Sequence, residues 1–298
     1  MRRGASPVGG VPPVTWCDDW PVPPTPPEQP RANQFAHLLT LIAANAIPAV
    51  GWFTQEWSAA TTLIVYWFET VVGLLFIYAR GVLQQRWNPR RGHFRYEAPQ
   101  SKGTARTRGA IEAKATPGSF IKGFFFINAV FCAAHGVFIA VILLILTHNG
   151  NAELVGLDWR SAGFGCLQML VIVVIDFLVD VPHLRRWSFG VLEQTANRSF
   201  GRVGVVHLAL IFGIFAAAVT NSPARMFGVF VVLKTLYSLS TALPMYEPAT
   251  PPAWLNRLMN RLRREPEGER FEDAWVKDQA AEARRRVRND EVWTAASR

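Results

Sequence analysis

Cysteine is scarce in this chain, three residues in 298, and its placement argues against a disulfide framework. Cys17 lies in an N-terminal segment, while Cys132 and Cys166 fall inside apolar stretches, where a reduced thiol serves as a small apolar filler. Several chemical signatures are missing as well. No His-Glu-x-x-His pair offers zinc ligands on a helix, no Gly-x-Ser-x-Gly elbow presents a nucleophile, and no lysine sits in a phosphate-binding loop. Kinase, ATPase and serine-hydrolase readings therefore find no support, no catalytic residue is nominated, and no cofactor is expected. Acidic residues are outnumbered, 22 against 31 Lys and Arg, for a net charge of +9. The basic run Arg284-Arg285-Arg286 with Arg288 is interleaved with acidic residues and lacks any surrounding nucleic-acid module, so nucleic acid is not an expected partner.

Charge is also nearly absent from six long stretches, and that absence decides the class. A hydrocarbon slab about 30 Å thick needs about 20 helical residues. Apolar runs of that length lie at 34–54, 59–80, 121–147, 162–182, 202–220 and 225–246. Barrel-spanning strands would be about ten residues long with strict alternation. The continuous apolar runs from Val130 to Leu146 and from Leu167 to Val181 argue for helices instead. The expected fold is an all-α, polytopic transmembrane bundle of six spans. The connections at 55–58 and 221–224 are very short, making spans 1 and 2, and spans 5 and 6, antiparallel neighbours.

Residues 1–33 carry nine prolines, and this segment reads as a disordered cytoplasmic tail with no signal peptide before the first apolar run. Basic residues set the orientation. Arg80 and the loop 81–118 are rich in Arg and Lys, the 183–201 loop adds Arg185, Arg186 and Arg198, and eleven Arg or Lys follow Pro248. Residues 55–58 have none and 148–161 have only Arg160. The positive-inside rule then places both termini in the cytoplasm and the protein in the inner membrane. Trp52, Trp57 and Trp159 mark the outer interface, and Trp87, Trp187 and Trp254 the inner one. In the 247–298 tail, Trp254, Leu255, Leu258, Met259 and Leu262 share one helical face, which predicts an interfacial amphipathic helix on lipid with anionic headgroups. Beyond Glu265 a solvated charged helix is expected.

Ionisable groups inside the spans carry the functional signal. Glu69 and Lys234 lie near the midpoints of spans 2 and 6, where a lipid-exposed charge costs about 2.5 to 3.5 kcal/mol even on a lenient scale. Equal depth and opposite sign predict a direct or water-bridged pair. Tyr66 and Gly73 flank Glu69 by one turn, and Tyr237, Ser238 and Thr241 extend the face of Lys234. His135 is also near mid-membrane, on a face with Asn128 and Cys132. Asp176 and His207 form a second level nearer the cytoplasm, and Asn45 with Pro48 interrupts span 1. Arg202, at the start of span 5, either snorkels to phosphate or contacts Asp176 or Asp180. Asp180, His183 and His37 are expected at the inner boundary, within reach of water.

These residues allow three readings. One is a small-solute or ion transporter, proton-coupled through Glu69, Lys234 and His135, with Asp176 and His207 as a cytoplasmic relay. Another is a non-catalytic scaffold or assembly protein whose charges lock helices together. The third is an intramembrane metal-dependent hydrolase using His135, His207, Asp176 or Glu69, for which no ligand motif exists and no metal residue is nominated. Oligomeric state is not encoded.

Four stretches carry a family resemblance: Asn45-x-x-Pro48-x-x-Gly51 followed by Tyr66-Trp67-x-Glu69-x-x-x-Gly73; His135-Gly136-x-Phe138; Gly201-Arg202-x-x-x-x-His207; and Leu233-Lys234-Thr235-Leu236. Together they resemble an uncharacterised family of prokaryotic multi-span membrane proteins of unknown function, over about residues 34–245. The resemblance implies the membrane architecture and supplies no activity. In that family an acidic residue often follows one turn after the lysine. Here Ser238 stands there, which leaves Glu69 as the partner of Lys234.

Overall fold

The computed structural model describes residues 31–99, 119–148, 156–199, 201, 204, 223–242, 248–262 and 270–294. Among these residues the secondary structure is helical, with a single isolated bridge between Arg90 and Val292. The helices are α1 (Arg31–Thr54), α2 (Ala59–Trp87), α3 (Arg91–Phe94), α4 (Phe120–His148), α5 (Trp159–Asp180), α6 (189–199), α7 (Pro223–Ala242), α8 (Ala253–Leu262) and α9 (Phe271–Asp290). Four of them, α1, α2, α4 and α5, are long and apolar enough to cross a membrane, and Val231–Ser240 in α7 is a shorter apolar helix. The fifth expected span, 202–220, lies outside the described residues apart from a helical Gly204.

Local sequence explains where these helices start and stop. Ser58 caps α2 by accepting a hydrogen bond from the Thr61 amide at 3.1 Å, and Asp158 caps α5 by accepting from the Arg160 amide at 3.0 Å. The Asp158 amide also donates to Thr61 Oγ1 at 3.3 Å, so the α1–α2 turn and the start of α5 lie at one end of the bundle. His37, Arg80 and Asp180 meet at the other end. The helices α1, α2 and α5 therefore run up, down and down, with α2 packed against both α4 and α5.

Outward faces are apolar. On α5, Phe164, Leu167, Val171, Ile175 and Leu178 are exposed and recur every three or four residues, the stripe that lipid covers in a spanning helix. The inward faces pack in three clusters. One joins Leu63, Tyr66, Ile139 and Val231, a second joins Ala44, Trp57, Val65 and Met169, and a third joins Ile77, Ile121, Phe189 and Leu192 at the basic end. Close approach depends on glycine in places. A Cβ on Gly165 would lie 2.7 Å from the Trp57 ring, and one on Gly136 would lie 3.1 Å from Trp67 Nε1. That indole donates to the Cys132 carbonyl at 3.0 Å, fastening α2 to α4.

Four expectations need correction. The second helix continues to Trp87, so Arg80 lies within it and points into the bundle, not into a loop. Trp57 is buried between α1 and α5 instead of standing at an interface, whereas Trp159 is exposed. The described part of the 81–118 loop is folded, since α3 and its flanks pack on the rest of the chain. The charged C-terminal helix is docked, not solvated. In α9, Arg285 is buried, donates to the Glu97 carbonyl at 2.8 Å and bonds Glu193 and Glu282, while Asn289 pairs with both the amide and carbonyl of Glu97. Arg286 and Arg288 of the same run donate to Glu282 and Glu97.

Candidate functional site

The helix α2 carries two polar levels. Glu69 and Arg80 are eleven residues apart, three turns plus about 20°, so they share a face and are separated by about 16 Å along the axis. The intervening residues that pack inward, Val72 and Ile77 among them, are apolar.

At the first level, Lys234 Nζ of α7 donates to Glu69 Oε2 at 2.6 Å. Lys234 is 2% exposed and Glu69 6%. The same ammonium stands 4.1 Å from the centroid of the Tyr66 ring, a cation–π contact one turn from the carboxylate. Lys234 is thus held by an anion and an aromatic face from one helix. Ser238, one turn further along α7, is also buried. On α4, Asn128, Cys132, His135 and Ile139 form one buried face. Ile139 packs on Tyr66 and Val231, and His135 is buried one turn before it on α4. Asn45 is buried on α1, where its Nδ2 donates to the Leu41 carbonyl at 2.8 Å, and its Oδ1 has no hydrogen-bond partner among the described residues.

The second level is a closed ring of four ionisable groups from three helices. Arg80 Nη2 donates to Asp176 Oδ2 and Arg80 Nε to Asp180 Oδ2, each at 2.7 Å. The other oxygens of both carboxylates face His37, with Nδ1 at 2.8 Å from Asp176 and Nε2 at 3.0 Å from Asp180. Donating at both ends requires a hydrogen on each ring nitrogen. Thr40 Oγ1 also donates to Asp176 at 2.9 Å, and Phe177 lies beneath the Arg80 guanidinium at 5.4 Å. Asp180 is buried, against the expectation that water reaches it cheaply.

The structure brings together Glu69, Lys234 and Tyr66, and separately Asp176 with His37, Asp180 and Arg80. His207 and Arg202 lie outside the described residues. Arg80 is the buried ionisable residue that sequence reasoning misses, and it makes the contacts to Asp176 and Asp180 that the sequence offers to Arg202. The signal available is its eleven-residue spacing from Glu69. For metal chemistry, the described residues offer one group of three potential ligands, His37, Asp176 and Asp180, which does not include His135 or Glu69. In that group Arg80 and His37 already engage all four carboxylate oxygens.

Long apolar helices, apolar outward faces and ionisable groups turned inward define a helical bundle of the membrane class. Residues 28–264 match the Family of unknown function (DUF6498), and the chain belongs to that family. No curated protein and no solved structure matches the chain.

Proposed function

We propose that this protein is a six-span inner-membrane transporter of a small solute or ion, with both termini cytoplasmic and with Glu69 and Lys234 as a proton-linked switch. The observation that carries the reading is the buried 2.6 Å contact between Glu69 and Lys234. A buried ion pair adds little net stability compared with well-packed apolar residues, and ionisable groups at mid-membrane mark substrate or proton paths. Protonation of Glu69 removes the anion that holds Lys234 and leaves the ammonium on the Tyr66 ring. The seam between α2 and α7 can then open, and the proton is coupled to access. The basic 80–118 and 183–201 segments and the eleven Arg or Lys beyond Pro248 favour an orientation with the four-residue ring on the cytoplasmic side. There Asp176 and His37 supply the relay, with His207 and Arg202 as further candidates from span 5.

The test uses the full chain in proteoliposomes on a solid-supported membrane, challenged with proton, sodium and potassium jumps and with panels of small carboxylates, amines and amino acids. A pH-dependent charge movement that Glu69→Gln abolishes in folded protein supports transport. One observation favours the scaffold reading instead: each charge of the pair already has its counter-charge within the chain. If the single variants fail to fold, while Glu69→Gln with Lys234→Met restores folding and the wild-type electrical response, the pair is a helix lock and the transport role fails.

A further inference from the structure

A second membrane contact follows from α8, and it is independent of the transport reading. On a 100° helical wheel, Trp254, Leu258, Leu262, Leu255 and Met259 span one arc, Arg261 and Arg257 border it, and Asn256 and Asn260 lie opposite. The structure fixes which side is free. Asn256 Nδ2 hydrogen-bonds Glu272 of α9, and Asn260 Oδ1 accepts from the Phe271 amide at 2.9 Å, so α9 covers the polar side. The apolar side is left outward, with Trp254 65%, Leu258 45% and Leu262 68% exposed. Arg257 and Arg261 at its border are exposed as well. Position adds to composition. Ala253 follows the end of α7 at Ala242 by eleven residues, and Pro248 within that link is pinned to α9 by Trp275 Nε1 at 3.3 Å and Gln279 Nε2 at 2.7 Å.

We propose that the Trp254–Leu258–Leu262 face of α8 lies in the surface of an anionic bilayer, with Arg257 and Arg261 at the lipid headgroups. Apolar side chains bordered by two exposed arginines complement a negatively charged lipid surface. Because α9 grips both α8 and the 90–97 segment, the bilayer surface and the folded cytoplasmic end are joined through one helix pair.

The experiment places an environment-sensitive fluorophore at Leu258→Cys, or at Ala281→Cys on the exposed side of α9, in a full chain with Cys17, Cys132 and Cys166 replaced by alanine. If that background does not fold, a fluorescent amino acid introduced at 258 by codon suppression gives the same readout. In nanodiscs containing phosphatidylglycerol, lipid-borne nitroxides should quench position 258 and not 281. Charge reversal with Arg257→Glu and Arg261→Glu, or exchange to pure phosphatidylcholine, should weaken surface partitioning by about fivefold or more per arginine. Equal quenching at both positions, or quenching at 258 indifferent to headgroup charge, overturns the proposal. A 258–258 disulfide between chains in place of quenching overturns it in favour of a second copy. Reaction of Ala281→Cys with an impermeant maleimide in inverted but not right-side-out vesicles checks sidedness separately, so an error of orientation is distinguishable from a failure of the surface.

Discussion

Glu69 and Arg80 stand on one face of α2 and handle buried charge in opposite ways. Glu69 pairs with Lys234 from one other helix. Arg80 has two anionic partners, both shared with His37, so three helices close a ring. A contact between two charges is broken when either one is substituted. A ring of four groups can rearrange its hydrogen bonds around a missing carboxylate, because Arg80 and His37 each touch both Asp176 and Asp180. The mid-bundle pair is therefore suited to switching and the end ring to holding α1, α2 and α5 together.

The comparison breaks if Arg80 proves dispensable. Arg80→Met leaves His37 as the one cationic group that the described residues set against Asp176 and Asp180, beside the Thr40 hydroxyl, and we expect a loss of about 4 kcal/mol, as for a buried charge deprived of its partner. Reversible unfolding in mild detergent measures it. A loss under about 1 kcal/mol, no more than an ordinary substitution costs, would show that the ring does not hold the bundle.

The mid-bundle pair should cost less. Glu69→Gln alone is expected to destabilise by about 3 kcal/mol, because Lys234 stays buried without its anion, while Glu69→Gln with Lys234→Met should recover most of that. The double-mutant cycle sharpens the contrast, since coupling near zero would mean the two side chains do not share one energetic unit.

Much of this is legible in the sequence, and the boundary of what is legible is physical. Glu69 and Lys234 stand out because charge is rare at mid-span, and matched depth suggests their pairing. Arg80 does not stand out, because at a span's end hydropathy does not distinguish a guanidinium that snorkels outward from one that turns inward. Trp57 misleads for a related reason: an indole near an interface also fits a slot opened by two glycines, and only packing chooses. The docking of α9 is invisible because Arg285 finds Glu193 and Glu97 at 92 and 188 residues' separation, with no local periodicity to announce it.

The folded end built from α3 and α9 offers a contrast in titration. His93 is fully buried, accepts from the Arg90 amide at 3.0 Å and contacts Gln84 at 3.3 Å through its other nitrogen. Burial, with the nearby Arg90 charge, holds it at about 4 against an ordinary value of 6.5. The unfolded chain therefore binds the proton more readily. The contribution of neutral His93 is complete above pH 6.5 and lost as pH falls towards 4, by on the order of 2–3 kcal/mol. Stability measured between pH 7 and 4 should fall accordingly, and His93→Asn should flatten that slope. An unchanged slope in the variant would assign the acid sensitivity elsewhere.

The smallest expected effect concerns Tyr66, and it separates the two halves of Lys234's environment. The ammonium touches both a carboxylate and a ring, so removing the ring alone asks how far the switch depends on aromatic support. Tyr66→Phe keeps the ring, and Tyr66→Leu removes it. Measured against Lys234→Met, Tyr66→Leu should couple by about 1–2 kcal/mol, the range for a desolvated cation–π contact, while Tyr66→Phe should couple by less. If both substitutions couple equally, the hydroxyl carries the interaction and the ring is only packing against Val231 and Ile139. In that case the ring lends the ammonium nothing beyond packing, and the proposed switch loses its aromatic support.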